Sequence, residues 1–136
     1  MKLLLLGFLL LVSYAHAFCV YNEMDSDTIW VRQMPAHTGG TYSSQSIDPG
    51  EKECCHFTSY DCNTSRDPDT TLELAFQTSY HGVARDFMFI VTLPAGGWVE
   101  LRAAGSDTPE VFVFTAAGDR YSHDLQINPK GVLLLK

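Results

Sequence analysis

Short apolar and β-branched runs alternate with turn sequences along most of the chain, without an amphipathic pattern long enough for a helix. The run 87–91 is continuously apolar, which is typical of a central strand buried on both faces, and 111–114 is predicted to be a further buried strand. The pattern predicts an all-β fold, an antiparallel β-sandwich of about eight to ten short strands, with a closed β-barrel as the alternative. The other predicted strands are 18–21, 28–33, 41–47 (an edge strand), 51–57, 71–80, 98–102, 121–127 and 132–135.

Turn signals separate these strands. In Asp48-Pro49-Gly50, proline presets φ at the second turn position and glycine accepts positive φ at the third. Similar glycine-containing turns are predicted at 94–97 and 117–119, and a loop at 22–27. The polar segment 58–69 is the longest connection, and we expect it at the surface because its backbone groups need water or local partners.

The N-terminus has the organisation of a secretory signal peptide. Lys2 precedes an apolar run over 3–12, and Ala15-His16-Ala17 has the small-x-small form of a cleavage site. We expect cleavage after Ala17, which leaves one secreted domain over 18–136. The apolar run is shorter than the ~20 residues of a membrane span, so we expect no transmembrane segment in the mature chain, and an extracellular monomer.

The four cysteines indicate a disulfide framework, because secretion places them in an oxidising compartment. Cys54 and Cys55 are adjacent on a predicted strand, so their side chains point to opposite faces and need different partners. Two pairings remain open at this level: Cys19 with Cys54 and Cys55 with Cys62, or Cys19 with Cys55 and Cys54 with Cys62. Either one predicts a chain without free thiols.

Asn63-Thr64-Ser65 is an acceptor sequence for N-linked glycosylation. Because it lies in the long polar segment, we expect Asn63 to be exposed and, in a eukaryotic source, glycosylated.

The chain has nine basic and sixteen acidic residues, and loss of Lys2 with the signal peptide changes the formal charge from −7 to −8. Nucleic acid is not expected as a partner, since its binding requires basic residues that displace counterions from phosphates. Moderate acidity is typical of a soluble extracellular domain.

Motifs for catalysis or metal binding are weak. Ser122-His123-Asp124 contains the residue types of a hydrolytic triad, but on a strand His123 points away from both neighbours. No cofactor is expected. The two acidic loops could hold calcium, but no EF-hand pattern surrounds them. The histidines without zinc-motif spacing are His37, His56 and His81, and the acidic loops are Asp25-Ser26-Asp27 and Asp67-Pro68-Asp69.

The aromatic residues could form an exposed platform that binds sugars. The commoner role of aromatic residues on strands is packing in the core. The candidates are Trp30, Trp98, Tyr42, Tyr60, Tyr80 and Tyr121.

One set of motifs spans the first half of the chain: Val20-Tyr21-Asn22, then Pro49-Gly50-Glu51, Cys54-Cys55 and Cys62-Asn63. In this set the chain resembles small secreted cysteine-containing fungal proteins of uncharacterised function. It is more loosely similar to thaumatin-like and aegerolysin-like secreted β-sandwiches, although thaumatin-like proteins have many more cysteines. The resemblance implies an extracellular role at a host or cell surface and no activity.

Secretion, a disulfide framework and the lack of a converging catalytic set favour a non-enzymatic, effector-like binding domain that recognises a glycan or protein at a cell surface. The alternatives are a membrane-active, cytolysin-like sandwich, which needs exposed tryptophan and tyrosine clustered at one end, and a secreted hydrolase whose site is assembled only in space.

Overall fold

The computed structural model describes residues 17–34, 45–56, 62–63, 67–78, 87–104 and 109–127. These residues form two sheets, one of four strands in the order β4-β1-β7-β8 (sheet A) and one of five in the order β3-β2-β5-β6-β9 (sheet B). The protein is therefore the predicted all-β sandwich rather than one closed sheet. The strands are β1 (Ala17–Glu23), β2 (Ile29–Gln33), β3 (Gln45–Ile47), β4 (Lys52–His56), β5 (Thr71–Thr78), β6 (Phe87–Pro94), β7 (Trp98–Arg102), β8 (Glu110–Phe114) and β9 (Leu125–Ile127).

The predicted strand 132–135 lies outside the described residues. The strand predicted over 41–47 is described from Gln45, and β3 does lie at an edge of its sheet.

The core lies between the facing surfaces of the two sheets. Phe18 and Val20 of β1 belong to one core cluster with Leu74 and Phe76 of β5, and Phe76 stacks on Phe89 with ring centroids 5.0 Å apart. All five side chains are essentially inaccessible to solvent, and burying each such side chain contributes about 1.5–3 kcal/mol. This layer is what positions the outward-facing residues of each strand.

Around β6, sheet B is buried on its other face as well. Met88 and Ile90 alternate with Phe89 and Val91 along β6, and all four side chains are buried. The continuous apolar run over 87–91 is thus explained as predicted, by a central strand covered on both faces.

Sheet A contains one parallel pair, which the antiparallel expectation did not include. β1 runs parallel to β7, in the register Cys19 opposite Trp98 and Glu23 opposite Arg102. A parallel pair requires a long connection, and the chain between these strands forms β4 and four strands of sheet B. The first strand consequently lies in the middle of its sheet, between β4 and β7, rather than at an edge.

The strand predicted over 121–127 is wrong in its first half. Tyr121 donates its backbone N–H to Val113 O of sheet A at 2.9 Å, whereas Asp124 O accepts from Thr92 N of sheet B at 3.3 Å. Residues 121–124 therefore cross from one sheet to the other, and only Leu125–Ile127 pairs continuously.

Two close backbone features are set by glycine. The predicted turn at Asp48 is present, with Glu51 N donating to Asp48 O at 3.0 Å and Gly50 at φ 81°. At the turn after β6, a Cβ on Gly97 would collide with the carbonyl oxygen of Phe114. Any side chain at 97 would therefore separate the start of β7 from β8.

Asn22 joins the two sheets at the end of β1, in a segment that the sequence placed in a loop. Its Nδ2 donates to Asp27 O at 2.8 Å and to Ile47 O, in β3 of sheet B, at 2.9 Å. Its Oδ1 accepts the backbone N–H of Met24 at 3.1 Å. The side chain is buried, so these partners stand in for water.

Candidate ligand-binding face

Alternate residues of sheet A point away from the core, and the strand register aligns them in rows. We call this surface, together with Arg120 beside β8, the outer face of sheet A. Taken from β4 to β8, its rows are Cys54, Cys19, Trp98 and Phe114; then Lys52, Tyr21, Glu100 and Phe112; then Glu23, Arg102 and Glu110.

Aromatic rings occupy the centre and the β8 side of this face. Trp98 and Phe114 stack across the β7–β8 pair, with ring centroids 4.9 Å apart and an interplanar angle of 17°. Phe112 lies on β8, two residues before Phe114, and Tyr21 lies on β1. All four rings are only partly buried, so apolar surface remains available to a ligand.

Cations lie over these rings. The guanidinium carbons of Arg102 and Arg120 lie 4.3 and 4.5 Å from the ring centroid of Phe112, and Arg120 is also 5.5 Å from that of Phe114. On the other side of the face, Lys52 Nζ is 5.6 Å from the centroid of Tyr21. Of the four lysines and arginines that the structure describes, three therefore lie on this one face, in a chain with an acidic balance.

Arg102 also connects two carboxylates. Its Nη2 contacts Glu100 Oε2, and its Nε donates to Glu23 Oε2 at 3.0 Å. The hydrogen bond to Glu100, and then that to Glu23, raises the pKa of the Arg102 guanidinium above its ordinary value. Glu100 accepts in addition from Trp98 Nε1 at 3.1 Å, so one network fixes the indole and the guanidinium together.

A shallow groove of about 410 Å³ adjoins the face at Arg120 and is lined also by Tyr121, Ser122 and His123. His123 Nδ1 lies 3.5 Å from Tyr121 O, and Asp124 is held through its backbone N–H by Thr92 Oγ1 at 2.9 Å. Among the described contacts, none joins His123 to Ser122 or Asp124.

The structure pairs Cys19 with Cys54 and Cys55 with Cys62, the first of the two open alternatives. Thus none of the four cysteines is free, and the prediction of two disulfides is confirmed. We call Cys19–Cys54 the long-range disulfide and Cys55–Cys62 the local disulfide, because their sequence separations are 35 and 7. The former lies on the outer face of sheet A, with a Cα–Cα distance of 4.0 Å, and the latter packs against the core.

The expected exposure of Asn63 is wrong. Asn63 is fully buried, and its Nδ2 donates to Asp67 O at 2.8 Å. The polar segment 58–69 is thus not wholly at the surface, because the local disulfide draws Cys62 into the core cluster. Its predicted glycosylation is untested, and the enclosed amide argues against modification of the folded chain.

The proposed aromatic platform forms from a different set of residues. Trp98 belongs to it, but Trp30 lies on the outer side of sheet B, on the far side of the sandwich, and Tyr121 packs against the core. Phe112 and Phe114 were predicted to be buried, yet both are partly exposed. Five of the predicted residues lie outside the described residues: His37, Tyr42, Tyr60, Tyr80 and His81.

The phenylalanines had a usable signal in the sequence. In Val111-Phe112-Val113-Phe114, valine and phenylalanine alternate, and Val113 is fully buried. A period of two places both rings on the face opposite the core, although two apolar faces look alike to a hydrophobicity pattern. The arginines carry no such signal, because stacking depends on strand register.

The acidic loops show local structure only. Asp67 Oδ1 accepts the backbone N–H of Asp69 at 2.9 Å, and Asp25 is exposed. Within the described residues, no group of three or more histidine, cysteine, aspartate or glutamate side chains is arranged to hold a metal ion. His56 lies in β4. Nor does the described part of the chain contain a helix long and apolar enough to cross a bilayer.

Fold and face together define a disulfide-linked β-sandwich whose outer face of sheet A carries aromatic rings and two arginines. No protein-family model matches the chain, and searches of curated proteins and of solved structures also found no match.

Proposed function

We propose that this is a secreted, non-enzymatic binding protein that recognises a glycan at a cell surface through the outer face of sheet A. The observation that supports it most directly is the partly exposed Trp98–Phe114 stack, flanked by guanidinium groups on an otherwise acidic molecule. Ligand sites commonly combine aromatic surface with a few fixed polar groups.

The chemistry of the face suits a sugar. Aromatic rings cover the apolar C–H faces of pyranose rings, while carboxylates and guanidinium groups exchange hydrogen bonds with hydroxyls. Glu100 and Arg102 are already held by Trp98 and Glu23, so ligand binding would order few side chains. Preorganisation of this kind lowers the entropic cost of binding.

The size of the face favours a glycan over a protein partner. Four strands at the usual spacing, each contributing about five residues, give a surface of roughly 19 by 17 Å, or ~300 Å². Stable protein complexes bury about 800 Å² on each partner. An oligosaccharide segment therefore matches the face better.

The placement of the aromatic residues also bears on the membrane-active alternative. Such a protein needs its tryptophans clustered at one end, whereas Trp30 and Trp98 belong to opposite outer surfaces of the sandwich. Carboxylates and cations interleave with the rings, which favours a polar ligand over a bilayer.

The test is glycan-array binding by the secreted domain, followed by calorimetric titration of the best ligand. We expect Trp98→Ala and Arg120→Ala each to weaken binding by about tenfold, the equivalent of ~1.4 kcal/mol. Gln126→Ala is the matched control, since Gln126 is an exposed residue of sheet B. Arg120 is itself exposed, so its variant separates loss of binding from loss of folding.

Binding that is unchanged in both face variants would refute the assignment of the site. Capture of a surface protein without any glycan binding would point to a protein partner, and lysis of neutral liposomes would point to the membrane-active alternative.

A further inference from the structure

Asn63 carries an acceptor sequence but has no accessible amide. The residue is fully buried, its neighbour Cys62 is 1% exposed, and Asn63 Nδ2 donates to Asp67 O at 2.8 Å. An amide nitrogen must reach the transferase to be glycosylated, and this one is enclosed.

The segment 67–70, whose Asp67 O accepts from the Asn63 amide, is itself attached to the rest of the fold. Pro68 O accepts from Gly96 N at 2.9 Å, and Thr70 O accepts from Ala95 N at 2.8 Å, which ties 67–70 to the turn after β6. Packing is close as well, since a Cβ placed on Gly96 would lie 2.9 Å from Pro68 Cβ. The Nδ2 atom that would carry the glycan is enclosed and donates to Asp67 O, at the start of this attached segment, so a glycan on Asn63 is incompatible with the native packing.

We propose that the sequence Asn63-Thr64-Ser65 is a conditional glycosylation site, accessible only while the local disulfide is open, and that the native domain leaves Asn63 unmodified. The donor class is a lipid pyrophosphate-linked oligosaccharide. In the transfer, the bond from Asn63 Nδ2 to the sugar C1 forms and the bond from C1 to the pyrophosphate oxygen breaks; the lipid pyrophosphate leaves with the bonding electron pair, and the proton that Nδ2 loses passes to solvent.

The local disulfide controls access because it ends next to the acceptor. Cys55 lies on β4 and Cys62 directly precedes Asn63, so closing this loop draws the acceptor against the core. Because the two cysteines are only seven residues apart, forming the local disulfide costs little loop-closure entropy. Disulfide formation can therefore compete with glycan transfer to Asn63 as soon as both cysteines have been translocated.

The experiment expresses the full chain in a eukaryotic secretory host and compares total cell lysate with medium. Three chains are compared: wild type, the double variant Cys55→Ser with Cys62→Ser, and that double variant with Asn63→Gln. Each also carries a second acceptor sequence appended after Lys136, whose modification verifies entry into the secretory pathway. Removal of N-linked sugars, followed by mass measurement, counts the glycans on each chain.

We expect one glycan on wild type, two on most of the double variant, and one again when Asn63 is replaced. Reading the lysate keeps the test valid where the double variant is not secreted. Any wild-type molecules that carry two glycans must, under the proposal, be molecules in which the local disulfide is open. The proposal is overturned by wild-type molecules with a glycan on Asn63 and a closed local disulfide, or by a double variant that keeps Asn63 unmodified.

Discussion

Replacing Asn22 with alanine tests how the two sheets are held together. The substitution removes two hydrogen bonds donated to Asp27 O and Ile47 O and one accepted from Met24 N, all at 2.8–3.1 Å. Each such bond contributes about 1 kcal/mol net, and partners left without water cost up to 1–3 kcal/mol more. We therefore expect the free energy of unfolding to fall by about 3 kcal/mol, which corresponds to roughly 12 °C in Tm for a chain of this size.

Asn22→Asp separates the donor role from simple loss of packing. At neutral pH the introduced carboxylate faces the two carbonyl oxygens that the amide now serves, so this variant should be less stable than Asn22→Ala. Those carbonyls and burial raise its folded pKa above the ordinary ~3.9 of aspartate. Because the folded state then binds the proton more tightly, the stability of this variant relative to wild type is greatest below pH ~4 and is lost as pH rises toward the folded pKa.

Chemical denaturation monitored by tryptophan fluorescence, with a thermal melt at several pH values, measures both effects. Gln126→Ala is the control, since an exposed amide on β9 should change stability by no more than about 0.5 kcal/mol. A loss below 1 kcal/mol for Asn22→Ala, or an Asn22→Asp variant whose stability relative to wild type does not depend on pH, would refute the role of Asn22 as the sheet junction.

Two further predictions concern cross-links and turns. Changing both cysteines of the long-range disulfide to alanine should lower the free energy of unfolding by about 4 kcal/mol, and the same change in the local disulfide by about 2 kcal/mol. The difference is expected because the longer loop restricts the unfolded chain more. Equal losses in chemical denaturation would contradict this chain-entropy argument. Gly97→Ala should prevent stable folding, because the added Cβ collides with the Phe114 carbonyl oxygen. Gly50→Ala meets open space and should lower the free energy of unfolding by only about 1–2 kcal/mol, because of its positive φ. Secretion yield and Tm distinguish the two variants.

The strands were predictable where local pattern and burial agree. β7 matches its predicted range, and the run at 87–91 lies in a central strand because Met88 and Ile90 on one side, and Phe89 and Val91 on the other, are all covered. Turns at 48–51 and 94–97 were predictable for the same reason, since proline and glycine restrict the backbone locally. These features depend on neighbours in sequence.

Features that depend on register were not predictable. Nothing local indicates that β1 pairs in parallel with β7, and that pairing decides that Arg102 meets Glu23 across 79 positions. Residues 121–124 alternate like a strand, yet they leave one sheet for the other. Asn63 looks exposed in a polar segment, but its burial follows from a disulfide whose partner the sequence left open.

The register also explains why the long-range disulfide and the aromatic rings share one face. Cys19 is opposite Cys54 on one side and Trp98 on the other, and Trp98 is opposite Phe114. The same row of sheet A is therefore fixed at both ends. The disulfide joins β1 to the edge strand β4, and the ring stack joins β7 to the edge strand β8. For the glycan site proposed on this face, specificity would come from such fixed positions, since every ring and guanidinium held before binding is one that the ligand does not have to order. The N-terminal strand at the centre of sheet A is what brings these two constraints together.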